Sequence, residues 1–301
     1  MFRMQTTSQT PPPGPSLARR RAAWRRRSVT LEGGLSLAVF EAGRSDEAAP
    51  VIVFVHGLGH WTQAAWDFLV PHFETTHRVI AFDLPGFGLS AKPPSGYDLA
   101  SFVRALDGVV AASGLSAYAL IGHSFGGLIA AEFARTRQDG RIRMLGLIDP
   151  AGFLRTPWLA LKIAGSRPAT WLFKTIRPSR RFVRRTFETA VFDPGSIPDD
   201  MHARAYELSQ DPSMTRAFAL VYAGAMQEFS HLRALHARLA QWKGPTLLVW
   251  GRQDRYIPVR ALENARRVFP QASVFVLERC GHCPPVEYPD EVARFLLEAG
   301  A

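Results

Sequence analysis

Between an apolar run, Ala119-Leu120-Ile121, and a helix-like run, Leu128 to Arg135, the chain reads Gly122-His123-Ser124-Phe125-Gly126-Gly127. No other stretch restricts the fold as much. A buried strand must end at Gly122, a helix must begin just after Gly127, and Ser124 is left on the sharp turn between them. In that setting G-x-S-x-G is a strained turn that lifts a serine hydroxyl clear of a sheet. The glycines have a steric task. A side chain at Gly122 or Gly126 would obstruct the close strand–helix crossing.

The rest of the sequence alternates short apolar strands with helices. Residues 28–41 alternate and turn at Gly33-Gly34 like a β-hairpin. Strands are expected over 51–56, 78–83, 117–122, 144–149, 246–251 and 273–277. Helices are expected over 66–73, from Asp98 (as N-cap) to Ser113, and near 259–268 and 290–297. This alternation implies a mostly parallel sheet covered on both faces by helices, an α/β fold. Residues 153–240 break the rhythm: they are rich in Arg, Trp and Phe and punctuated by Pro157, Pro168, Pro178, Pro194, Pro198 and Pro212. They read as a helical cap lying over the strand ends, where ligands bind in open α/β sheets. The expected organisation is a disordered basic tail (1–27), a core (28–152 and 241–301) and the cap insert (153–240).

The formal charge of +10 is local. Residues 1–28 hold seven arginines and no acid, and residues 153–190 hold nine Lys or Arg against one Glu, leaving a net −5 for the remainder. A nucleic-acid binder shows a basic face with a reading motif, and none is present, so no nucleic acid is expected. Weak peripheral contact with an acidic membrane surface, through the tail or the cap, is a secondary expectation. An export signal would need a long apolar stretch and a small-residue cleavage site after the arginines. The hairpin-like run follows instead, so the expectation is a cytoplasmic protein. No stretch approaches the ~18 apolar residues of a membrane span.

Two further features fall in the order the serine turn demands. Asp254 follows the strand that ends in Trp250-Gly251, and His282 follows the next strand, in Cys280-Gly281-His282-Cys283. The order Ser, Asp, His separates one serine-hydrolase fold from the others. With His56-Gly57-Leu58-Gly59 and Asp83-Leu84-Pro85-Gly86-Phe87-Gly88-Leu89-Ser90, these motifs resemble those of the α/β-hydrolase fold, in its form with a helical cap and an eight-stranded sheet, over residues 28–298.

The resemblance implies a triad of Ser124, His282 and Asp254. His282 would take the Ser124 proton as the hydroxyl attacks a carbonyl carbon, and Asp254 would hold the imidazole tautomer. It also implies an oxyanion hole from the amides of Leu58 and Phe125, with His56 and Gly57 supporting the loop. The implied activity is hydrolysis of a small to medium, largely apolar carboxylic ester through an acyl-enzyme, with no cofactor and no metal. Alternatives within the fold are a lactonase, an amidase, a perhydrolase or a carbon–carbon bond hydrolase. Many of the last carry Asn at the position of His123 and Trp just after the catalytic His, which this chain does not. A non-catalytic ligand-binding or accessory protein is the alternative of another class.

Asp149, in Leu147-Ile148-Asp149-Pro150, also ends a strand and is a second candidate for the acid. His123 is expected to point into a hydrogen-bond network away from the base position. Cys280 and Cys283 resemble the redox motif of disulfide isomerases, but that chemistry needs a helix N-terminus in another fold. Trp158, Leu159, Leu161, Trp171, Leu172 and Phe173 are expected to pack the cap and line the pocket, with Arg155, Arg167 and the 180–185 cluster available to a substrate carboxylate.

Overall fold

A computed structural model describes residues 4–7, 20–155, 166, 168, 171 and 177–301. The strands are β1 (Met4–Thr7), β2 (Arg25–Thr30), β3 (Ser36–Gly43), β4 (Val51–Val55), β5 (Arg78–Phe82), β6 (Tyr118–His123), β7 (Ile142–Ile148), β8 (Thr246–Gly251) and β9 (Ser273–Leu277). They form one sheet in the order β1-β9-β8-β7-β6-β4-β5-β3-β2. β2 and β3 pair antiparallel, as do β3 and β5, and the remaining pairs are parallel. The expected eight-stranded, mostly parallel sheet is present as β2–β9, and β1 adds a ninth strand beside β9.

Every residue of β6 and β8 is buried, as central parallel strands covered on both faces must be. Along β6, Leu120 packs into the cluster on one face, and Ala119 and Ile121 into the cluster on the other. The first cluster takes Phe102 and Leu106 of α2 (Leu99–Ala112) and Phe133 of α3 (Phe125–Thr136). The second takes Trp66 at the end of α1 (Thr62–Trp66) together with Phe73. Asp98 caps α2 by accepting from the Ser101 amide at 2.7 Å, as expected.

Two expectations need correction. The helix expected over 66–73 is instead α1, followed by a single turn at Val70–His72. The helix starts early because Asp83 Oδ1 accepts from the Thr62 amide at 2.8 Å, and it cannot run on because Pro71 supplies no amide. The tail is also ordered further back than the expected boundary at residue 27. β2 begins at Arg25, and the chain before it is fastened by Ala22 N–H to Asp67 O (2.9 Å), Trp24 Nε1–H to Asp67 Oδ1 (2.8 Å) and Arg20 to Glu74 (2.7 Å). A tryptophan offers a donor beside a large apolar face, enough to anchor an otherwise polar arm. Residues 1–3 and 8–19 of the tail lie outside the described residues.

In the insert, the described elements are helical: α4 (Arg180–Ala190), α5 (Asp199–Ser209), α6 (Pro212–Ser230) and α7 (Leu232–Leu239). Two of its prolines sit at helix starts. Pro212 is the first residue of α6, whose cap Asp211 accepts from the Ser213 amide, and Pro198 precedes α5. Trp158, Leu159, Leu161, Arg167, Leu172 and Phe173 lie outside the described residues. After the insert the core is completed by α8 (Leu262–Val268), α9 (Pro284–Glu287) and α10 (Pro289–Glu298). Among the described residues no helix is long and apolar enough to cross a membrane.

Candidate active site

Ser124 occupies the turn between β6 and α3 with φ 54° and ψ −120°. A non-glycine residue at positive φ is strained, and such strain persists only where its surroundings over-determine it. Here they do. The Ser124 amide donates to Ile148 O at 2.9 Å, and its carbonyl accepts from Gly127 N (3.0 Å) and Ala151 N (2.9 Å). A Cβ on Gly122 would lie 2.4 Å from Gly126 O, and one on Gly126 would lie 2.2 Å from Val55 O. Both obstacles are backbone, which cannot step aside.

The three residues singled out from chain order meet beside this turn. His282 Nε2 lies 2.9 Å from Ser124 Oγ, and His282 Nδ1 lies 2.6 Å from Asp254 Oδ2. The second carboxylate oxygen, Oδ1, accepts from the amides of Tyr256 (2.7 Å) and Ile257 (2.9 Å). A carboxylate only accepts, so Nδ1 carries the imidazole proton and Nε2 presents its lone pair to the serine hydroxyl. Asp254 and His282 are 4% and 6% exposed, so water competes little for either bond. The His282 loop is fastened by Glu287, which accepts from Gly281 N at 2.8 Å through Oε1 and from Phe192 N at 2.6 Å through Oε2. Glu287 was not anticipated, though it stands five residues past His282 on the helix that ends this loop.

Asp149, the rival acid, is fully buried at positive φ (42°). Its Oδ1 accepts from the Gly251 amide at 3.0 Å, and its carboxyl lies against Asp254. Burial first, and the neighbouring Asp254 charge second, push Asp149 well above the usual carboxylate range. Two adjacent carboxyls do not both ionise readily, and Asp254 is the one that faces the imidazole proton. A carboxyl oxygen of Asp149 comes within 4.8 Å of ring nitrogens of His123 and His282. Both His282 nitrogens are engaged in the relay, so the trio is not arranged as a set of free metal ligands.

His56 is fully buried. Its Nε2 accepts from the Leu84 amide (2.9 Å), so Nδ1 is protonated and donates to Gly57 O (2.8 Å). The two Gly-rich motifs are thereby tied together, and Gly57 is held so near the elbow that a Cβ there would lie 2.9 Å from Ser124 Cβ. His123 joins a hydrogen-bond network as expected, donating Nε2–H to His282 O at 2.6 Å, but it does not point away from the base: its ring centroid lies 4.9 Å from that of His282. Burial, and the nearby His282, hold His123 well below the ordinary histidine range. His60 stacks on Phe187 of α4 with ring centroids 5.7 Å apart, and burial pulls it down to about 3. His60 was not among the residues expected at the site, and its place directly after His56-Gly57-Leu58-Gly59 is the signal for it.

Cys280 and Cys283 are both buried, and burial pushes both thiols well above their ordinary value. A thiol kept protonated is a poor redox nucleophile. Above Ser124 opens a cavity of about 850 Å³ between core and cap, reached by Ser124 and His282 and walled by Trp61, Phe187, Met214 and Phe218. Tyr256 O–H donates to Thr186 O at 2.8 Å, linking the Asp254 loop to α4. Phe125 is the first residue of α3, so its amide has no carbonyl one turn back to bond.

A profile of the alpha/beta hydrolase fold matches residues 50–289. The 2-hydroxymuconate semialdehyde hydrolase of Pseudomonas putida is 30% identical over 232 residues, 75% of this chain and 79% of that protein. Lipase 1 of Psychrobacter immobilis is 28% identical, over 91% of this chain and 85% of that protein. Among solved structures, a bacterial membrane phospholipase A superimposes with a TM-score of 0.72 and 29% identity, covering 92% of this chain and 85% of the other. The serine turn, the ordered Asp and His, the sheet topology and the family match agree: this chain belongs to the alpha/beta hydrolase fold family and is a serine hydrolase.

Proposed function

We propose that the enzyme cleaves carboxylic esters with a medium to long apolar acyl group, through an acyl-enzyme on Ser124. The observation that carries this reading is the Ser124–His282–Asp254 relay opening directly into the apolar cavity. Ser124 Oγ attacks the ester carbonyl carbon while His282 Nε2 takes its proton, and Asp254 stabilises the imidazolium. The oxyanion is bound by the Leu58 and Phe125 amides, at the positive end of α3. His282 then protonates the leaving alcohol. Water, deprotonated by the same nitrogen, releases the carboxylic acid and restores the serine. Cavities of this volume stand at the upper end of the ~300–1,000 Å³ range of ligand pockets, which extends the sequence-based expectation toward longer acyl groups.

A second reading, carbon–carbon bond hydrolysis, is favoured by the activity named for the Pseudomonas putida relative. The substrate of that name is an acid, and its carboxylate needs a cation. Among the described lining residues the one Lys or Arg is Arg177, which already donates to Gln210 O. Cys283 follows His282 where many such enzymes carry Trp.

The test is a series of p-nitrophenyl esters of increasing acyl length, run beside 2-hydroxymuconate semialdehyde. Ester turnover should rise about fourfold in kcat/KM per added methylene until the cavity is full. Faster consumption of the semialdehyde than of every ester would replace this reading with the second.

A further inference from the structure

The outer face of the cap carries charge that ester hydrolysis does not use. Val183 and Ala190 of α4 turn inward and are buried. Phe182 and Thr186, four residues apart and so on one face of the helix, line the mouth of the cavity. Phe182 is nevertheless 64% exposed, so its ring stands at the rim and projects outward. Arg181 and Arg185, again four apart, occupy the adjacent row. Both are exposed, neither lines the cavity, and neither has an acidic partner among the described residues. Their neighbours differ: Arg184 pairs with Glu188 and Asp199, and Arg180 lies over the Tyr206 ring.

An uncompensated cationic row beside a protruding aromatic side chain is the pattern of a helix lying in a membrane interface. Here the same edge is the entrance to a large apolar cavity. A polyanion such as RNA would satisfy the arginines and leave Phe182 and the cavity mouth against water. A bilayer satisfies all three. We propose that α4 docks the cap on an anionic phospholipid surface. Arg181 and Arg185 then meet headgroup phosphates, Phe182 enters the acyl region, and the cavity opens into the lipid rather than into water. The purpose of the contact rests on the ester-hydrolase reading; the contact itself does not.

The full chain is sedimented with vesicles of phosphatidylcholine mixed with phosphatidylglycerol, and with pure phosphatidylcholine. Binding is expected to the anionic vesicles, to fall with added salt, and to drop at least about tenfold in the double variant Arg181→Glu/Arg185→Glu. The variant should hydrolyse a soluble short-chain p-nitrophenyl ester at the parental rate, which also shows that it is folded. Equal binding to both vesicle types, undiminished binding of the double variant, or binding to an RNA oligonucleotide with none to vesicles would overturn the proposal. Vesicle binding without ester turnover by the parent would leave the docking in place and remove the ester reading instead.

Discussion

The carboxyl edge of the sheet and the cap above it hold their side chains by different means. At the sheet edge the reacting groups are fixed by main chain. Ser124 is pinned by four backbone hydrogen bonds, Asp254 by two amides, and the His282 loop by the Gly281 amide, which donates to Glu287. In the cap, α4 faces the cavity through Val183 and Phe187, positioned by side-chain packing and a few contacts such as Tyr256 to Thr186. Main-chain bonds tolerate changes in neighbouring side chains, whereas packed rings do not. The comparison therefore assigns the chemistry to the sheet edge and the choice of substrate to the cap, and substitutions in the two regions should separate accordingly.

The largest effect belongs to the nucleophile. Ser124→Ala should lower kcat about 10⁵- to 10⁶-fold, with thermal unfolding within about a degree or two of the parent because the elbow is held by backbone. Next is the pair of acids. Asp254→Asn should cost about 10⁴-fold in kcat by favouring the wrong imidazole tautomer. Asp149→Asn should cost no more than a few-fold, since an amide can replace a protonated carboxyl as donor. A reversal of these two results, measured as steady-state kcat, would make Asp149 the working acid.

In the cap, Phe187→Ala should lower kcat/KM about tenfold for long-chain esters, through lost apolar contact, and leave acetyl esters within about twofold. An equal loss on both substrates would break the division between the regions.

The smallest effect is on stability. A histidine whose folded value is lowered contributes stability above its unfolded value, near 6.5, and loses it as pH falls toward its folded value. For His60 that window runs from about 6.5 to about 3. Urea unfolding should show a loss of roughly 1 kcal/mol between pH 7 and pH 5.5 from this residue alone. His60→Phe should flatten that part of the profile.

How far each region could be read from sequence follows the same division. The elbow was legible because its demands are local: two glycines are needed within five residues, and the clashes at Gly122 and Gly126 are with backbone. Asp254 and His282 were legible through chain order alone, without any knowledge of their distance. Asp149 remained a rival because it too ends a strand, and in the structure the His282 Nδ1 bond to Asp254 separates them, Asp149 accepting from the Gly251 amide instead. The Glu287 bolt, the His60–Phe187 stack and the anchoring of Trp24 on Asp67 depend on contacts across 95, 127 and 43 positions of chain, which no local pattern encodes. The cavity walls are of this kind throughout. Helix-to-helix packing in the cap is set by shape, so the sequence reading reached the insert and its helical character but not its lining.

The account stands on Ser124 being an activated nucleophile, and covalent labelling tests that most directly. The protein is incubated with a fluorophosphonate and examined by intact mass and peptide mapping. One adduct per chain on Ser124 is predicted, forming far more slowly when His282 is replaced by Ala. An unlabelled Ser124 in folded protein, or an adduct that forms equally fast without His282, would contradict it.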